Sequence, residues 1–113
     1  MYKRQEVIKI RDINVPTAFT PNGDSANDRL IVHGKEGTKI LSFRVYDRWG
    51  TLVYENGPTT ENGDEYLTND ESTGWTGTYR GKEVDPGVFL WQVEVEYIDG
   101  LKESFQGGTT LLR

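Results

Sequence analysis

From Val88 to Ile98 the chain alternates with a period of two. Phe89, Trp91, Val93, Val95 and Tyr97 fall on one face, and Glu94 and Glu96 on the other. Only a β-strand puts alternate residues on opposite faces, so this stretch reads as the longest strand, with one face on a core and one in water. Asp99-Gly100 follows it and is the strongest short hairpin signal in the chain. Leu101 to Arg113 therefore returns alongside, with a bulge expected at Gly107-Gly108. The same period recurs upstream. Ile8 and Ile10 oppose Lys9 and Arg11 within residues 5–15; Leu30 and Val32 share a side of a short strand from Arg29 to His33. In Lys39 to Arg48, Leu41, Phe43 and Val45 oppose Ser42, Arg44 and Tyr46, and Thr51 to Asn56 returns after Trp49-Gly50. Thr78 to Val84 is a fifth short strand broken by Gly81, and Asp85-Pro86-Gly87 is a turn. No stretch has the 3.6-residue period of a helix. Strands of this length, separated by turn signals, specify an all-β fold: an antiparallel immunoglobulin-like β-sandwich of about seven strands, without the Cys…Trp…Cys spacing of antibody domains.

Two segments break the pattern. Val15 to Asp28, VPTAFTPNGDSAND, holds Pro16 and Pro21, each of which fixes φ and removes a backbone donor. Between them Phe19 is the one large apolar residue and is expected to plug into the core. Asn22-Gly23-Asp24 is turn chemistry, since Gly tolerates positive φ and Asx side chains bond nearby amides. Residues 57–73, GPTTENGDEYLTNDEST, are polar and acidic and read as a mobile surface loop unable to pack a core, with Tyr66-Leu67 as its only anchor.

The 113 residues suffice for one domain with a modest core. A net charge of −5 argues against nucleic acid, whose binding needs a cationic footprint. No apolar run approaches the roughly 18 residues of a membrane span. Met1 precedes Tyr2-Lys3-Arg4-Gln5 with no apolar core of a signal peptide, so it reads as the start of an excised piece whose parent carries any export signal upstream.

Catalysis is poorly supplied. With no Cys and His33 as the only His, there is neither a zinc ligand set nor an obvious base for a nucleophile. Carboxylate pairs abound, but those of residues 61–71 sit in the polar loop, where catalytic geometry is poorly held. No enzyme activity is expected. Asn22, Asp24 and Asp28 offer oxygens at the alternating spacing a Ca²⁺ site uses, although Ala26 and His33 stand where an EF-hand places ligands. Asx-turns capping the entry to the Leu30 strand explain the same residues, and both readings stand. Trp49, Trp75, Trp91, Tyr46 and Tyr54 could form a sugar-stacking platform, but aromatics on strands more often build core, and Trp91 lies on the apolar face. Trp49, at a tight turn after Arg48, suits a cation–π or packing role.

Five elements occur in a fixed order: AFTPNGDSAND before an apolar strand, Tyr46-Asp47-Arg48-Trp49-Gly50 with Val53-Tyr54 behind it, Trp75-Thr76-Gly77, Asp85-Pro86-Gly87-Val88-Phe89, and Gly108-Thr109-Thr110-Leu111-Leu112-Arg113. Together they resemble the gliding motility-associated C-terminal domain, the type B sorting domain of the type IX secretion system of Bacteroidetes. Ser25 replaces the family's usual second Gly, and residues 57–73 are longer and more acidic than its usual connection. The resemblance covers residues 13–113, leaving 1–12 as a strand or linker from the parent chain. It implies a non-catalytic secretion signal that directs a large exported cargo, N-terminal in the same polypeptide, through the periplasm to the cell surface or medium. The partners implied are the outer-membrane secretion machinery and its accessory receptor. Within the resemblance, three places join special backbone geometry to polar or aromatic groups: Pro21-Asn22-Gly23-Asp24, Asp47-Arg48-Trp49-Gly50 and Leu111-Leu112-Arg113. These are the expected recognition residues. An immunoglobulin-like adhesin spacer and a carbohydrate-binding module are the alternatives.

Overall fold

The computed structural model describes residues 13–21, 28–59, 62–70 and 73–113. Residues 5–12 of the strand expected at 5–15, and the Asn22-Gly23-Asp24 turn, lie outside them. Among the described residues there are seven strands and no helix: β1 (Ala18–Phe19), β2 (Lys39–Tyr46), β3 (Leu52–Asn56), β4 (Thr78–Tyr79), β5 (Lys82–Glu83), β6 (Gly87–Glu96) and β7 (Lys102–Leu111). Five form one sheet in the order β1-β7-β6-β2-β3, and β4-β5 is a separate hairpin. The fold is an all-β sandwich.

The alternation in β6 does what its period dictates. Phe89, Trp91, Val93 and Val95 are buried, whereas Val88, Leu90, Gln92 and Glu94 are exposed. Asp99-Gly100 closes the β6–β7 hairpin, with Gly100 at φ 87° and the Leu101 amide donating to Asp99 Oδ1 at 3.1 Å. Against the inner face of the sheet pack Val15, Phe19, Leu30, Val32 and Trp75. Around Val15, Leu30, Val32 and Trp75 the chain forms isolated antiparallel bridges, Asn14 with His33 and Leu30 with Trp75.

Several local expectations are corrected. The sheet is not wholly antiparallel: β1 runs parallel to β7, with the Thr110 amide on the Thr17 carbonyl and the Leu112 amide on that of Phe19. The segment 29–33 does not alternate, because Leu30, Ile31 and Val32 are all buried between neighbours. A register shift between Ile40 and Ser42 puts Ile40 rather than Leu41 on the buried face with Phe43 and Val45. Thr78–Val84 is not one strand but a hairpin, folded at Arg80-Gly81, both with positive φ.

Gly107-Gly108 is no bulge, since β6 and β7 pair in unbroken register from Gly87↔Leu111 to Glu96↔Lys102. Gly107 faces Trp91, and a Cβ there would lie 2.7 Å from the indole ring. The glycine makes room for the tryptophan.

The described residues of the acidic segment 57–73 are tied down more firmly than its composition suggests. The Tyr66 carbonyl accepts from Ile40, Thr68 donates to Thr38, and Asn69 donates to Val32. The Asn69 side chain spans Gly34, donating to its carbonyl at 2.7 Å and accepting from its amide at 3.2 Å. Lys39 meets Glu65 at 2.9 Å, and that hydrogen bond raises the Lys39 pKa above its usual value. Thr68 is buried and Tyr66 packs on the core, whereas Leu67, one of the two expected anchors, is exposed. Backbone pairing, with Tyr66 on the core, thus holds a segment that has few apolar residues.

Candidate functional site

The described parts of the five ordered sequence elements meet in space, and their side chains divide into two groups. The first is a buried aromatic knot. Phe19, Trp75 and Phe89 come from three different elements. Their rings sit with centroids 5.6 Å apart for Phe19–Trp75 and 4.9 Å for Trp75–Phe89, both tilted rather than stacked. The Trp75 indole donates to the Thr78 carbonyl at 2.8 Å, so its one polar atom is satisfied inside the core. Leu111 is fully buried beside this knot, as Phe19 is. Leu111 therefore offers no surface to a partner, contrary to its placement among the recognition residues.

The second group surrounds a cavity of about 200 Å³ at one end of the sheet. Three pieces frame it: the turn Asp47-Arg48-Trp49 after β2, the hairpin residues Tyr79 and Val84, and the run from Asp85 to Phe89 that begins β6; Val53 of β3 completes the wall. The β2–β3 turn is built by its own side chain. Asp47 Oδ1 accepts from the amides of Trp49 and Thr51, each at 2.9 Å, and Gly50 takes φ 86°. Asp47 and Gly50 thus shape the turn, and what it displays is Arg48 and Trp49. Trp49 is 77% exposed, and the Arg48 guanidinium lies 5.2 Å from its ring centroid. Across the cavity Arg80 covers Tyr79 in the same way at 5.1 Å.

Arg113 is not a free end group. Its Nη2 donates to the Gly77 carbonyl at 2.7 Å, its Nε to that of Val84 at 3.0 Å, and Nη1 lies 3.6 Å from Glu83. The Val84 amide donates to the same Gly77 carbonyl. One guanidinium therefore clamps both ends of the hairpin that walls the cavity. Gly77 has no room for a side chain, since a Cβ would meet Leu111 at 2.7 Å, Arg113 at 3.1 Å and Pro21 at 3.2 Å. Pro21, Gly77 and Arg113 thus close on one point, and of the two leucines of the closing triplet only Leu112 is exposed. No spacing rule brings Pro21, Gly77 and Arg113 together; the signal was only that each belongs to an element of the same ordered set.

Of the candidate cation ligands, Asp28 is half-buried, while Asn22 and Asp24 lie outside the described residues. No group of three or more His, Cys, Asp or Glu able to hold a metal occurs among the described residues. The aromatic platform is not formed: Trp75 is 1% and Trp91 9% exposed, so of the three tryptophans only Trp49 faces solvent. No helix among the described residues is long and apolar enough to cross a membrane.

A family model described as CHU_C Type IX secretion signal domain matches residues 13–111. No curated protein matches the chain. Among solved structures it is similar to the crystal structure of CopC from Methylosinus trichosporium OB3b, with a TM-score of 0.50, 16% identity and 88% of each chain covered. At that identity the likeness shows the fold alone.

Proposed function

This chain belongs to the CHU_C type IX secretion signal domain family, and on that premise we propose that it is the non-catalytic sorting module of a larger exported protein. In this reading residues 1–12 lead in from the parent chain and residues 13–113 form the module. The folded domain is read in the periplasm by the outer-membrane machinery and an accessory receptor, and the cargo N-terminal to it reaches the cell surface or the medium. The observation that carries the reading is the family match over nearly the whole chain. The structure supports it chemically. The family-like elements place Phe19, Trp75 and Phe89 in the core and display a small polar and aromatic surface, Arg48, Trp49 and their neighbours, with no nucleophile–base pair among their described residues.

The test is export. The domain fused behind a neutral reporter with its own N-terminal signal, in a host with a working type IX system, should carry the reporter to the surface or medium. The reporter alone should stay in the periplasm. A folded fusion retained there would overturn the proposal and favour an immunoglobulin-like spacer. A carbohydrate-binding module is disfavoured by the burial of Trp75 and Trp91, which removes the exposed aromatic row it requires.

A further inference from the structure

The outward face of a solvated antiparallel sheet is ordinarily polar, and over most of its length this one is. Arg44 of β2 pairs with Glu55 of β3 at 2.7 Å, and Ser42, Glu94 and Ser104 lie beyond. At the end carrying the cavity the pattern changes. Leu52 is opposite Tyr46, Tyr46 opposite Leu90, and Leu90 opposite Gly108. Directly opposed residues share a face, so these four form one row across four strands. Leu52 is 38% and Leu90 52% exposed, and Gly108, with no side chain of its own, leaves the end of the row low. Exposed Val88 and Trp49 carry the apolar surface from this row to the mouth of the cavity, which both of them line. Exposed apolar side chains grouped at one end of a sheet are what an interaction surface presents. Trp and Arg side by side at its edge are the residue types that dominate binding energy at interfaces.

The cavity tells what such a partner must bring. Val53, Val84 and Phe89 give it apolar walls. Among the lining residues Asp47 and Asp85 set two carboxylates against one guanidinium, that of Arg48, which is drawn over the Trp49 ring, while Arg80 sits over Tyr79 outside the lining. Asp85 is exposed and makes no ion pair among the described residues. A lysine or arginine can lay its hydrocarbon stem on those walls and bring its charge to Asp85. A carboxylate would meet two like charges, on a chain whose net charge is −5.

We propose that this end of the sheet docks an extended segment of a partner protein, its apolar side chains on the Leu52–Tyr46–Leu90 row and a basic side chain in the cavity behind Trp49. The assignment rests on the sorting reading for its biological meaning, but not for its chemistry. Arg113, which holds the hairpin wall, is a positioning residue for this site and not a contact.

The test uses the ¹⁵N-labelled domain titrated with the peptide acetyl-LTLTK-amide, and acetyl-LTLTE-amide as control. The lysine peptide should shift the amides of Leu52, Val53, Val84 and Leu90, and the glutamate peptide should bind far less. Asp85→Asn, a surface change, should weaken the lysine peptide roughly tenfold, the effect of losing one charge-assisted contact. Leu90→Ser should weaken both peptides. Equal response to the two peptides, shifts confined to other amides, or indifference to Asp85→Asn would overturn the proposal. So would concentration-dependent shifts of these amides without peptide, which would make a second copy the occupant. Export separates this proposal from the one above. If the wild-type fusion does not export its reporter, the sorting reading fails whatever the peptides do. If it exports and Asp85→Asn/Leu90→Ser exports equally well, the docking surface alone is wrong.

Discussion

Two tryptophans from the same ordered set of elements meet opposite fates. Trp75 is 1% exposed, wedged between Phe19 and Phe89 with its indole nitrogen bonded to Thr78; Trp49 is 77% exposed and covered on one side by its neighbour Arg48. In sequence both are a Trp followed within two residues by a Gly, and both invite the same interpretation. In the structure one is fold and the other is surface. A recurring aromatic therefore does not by itself indicate recognition. Its burial decides which side of that line it stands on.

The comparison can be broken first at the core. Trp75→Ala removes the centre of the aromatic knot and should cost about 3–5 kcal/mol, a large part of the roughly 5–15 kcal/mol available to a domain. Urea denaturation should show the loss. A cost under about 1 kcal/mol would mean the knot is not what holds the two layers together. Arg113 lies between the two regions, since its side chain joins the chain end to the hairpin wall of the cavity. Arg113→Ala should cost about 1.5–3 kcal/mol, the range for hydrogen bonds to a charged group. Amide exchange should quicken at Tyr79 to Val84 more than in β6. Uniform acceleration across the sheet would contradict the clamp.

A smaller effect tests the polar side of the core. Burial raises the Tyr54 phenol above its usual value of 10.0, against the opposing effect of hydrogen bonds from Asn56 and Gly74. As pH rises, the unfolded chain gives up this proton before the folded one does. The folded state is therefore favoured fully below the ordinary tyrosine range and loses that advantage as pH climbs through the raised value. Stability should fall across this alkaline window, and Tyr54→Phe should remove that part of the slope. An unchanged slope in the variant would assign the alkaline loss to other groups.

What the sequence made legible was local. The two-residue period of β6, the Asp99-Gly100 hairpin and the burial of Phe19 follow from residue type and spacing, and the structure has them all. What it hid depended on a neighbour far along the chain. Gly107 looks like a bulge until Trp91 is found opposite it, and Arg113 looks like an exposed end until the carbonyls of Gly77 and Val84 are found beneath it. The acidic segment looks unanchored because composition records side chains, while backbone groups of Thr38 and Ile40 do the anchoring. The cavity was hidden for the same reason, since its walls come from three turns and a strand that no spacing rule links.

The central claim is that the domain's fold lies in the Trp75 knot and its address at the Trp49 end. Exporting a reporter fused to the Trp49→Ala domain tests it most directly, with the Tm of the same protein measured alongside. Trp49 is mostly in solvent and its contact with Arg48 is worth about 0.5–1 kcal/mol, so Tm should fall by no more than a few degrees while export drops several-fold below wild type. Export at the wild-type level from a variant of near-normal Tm would contradict the claim.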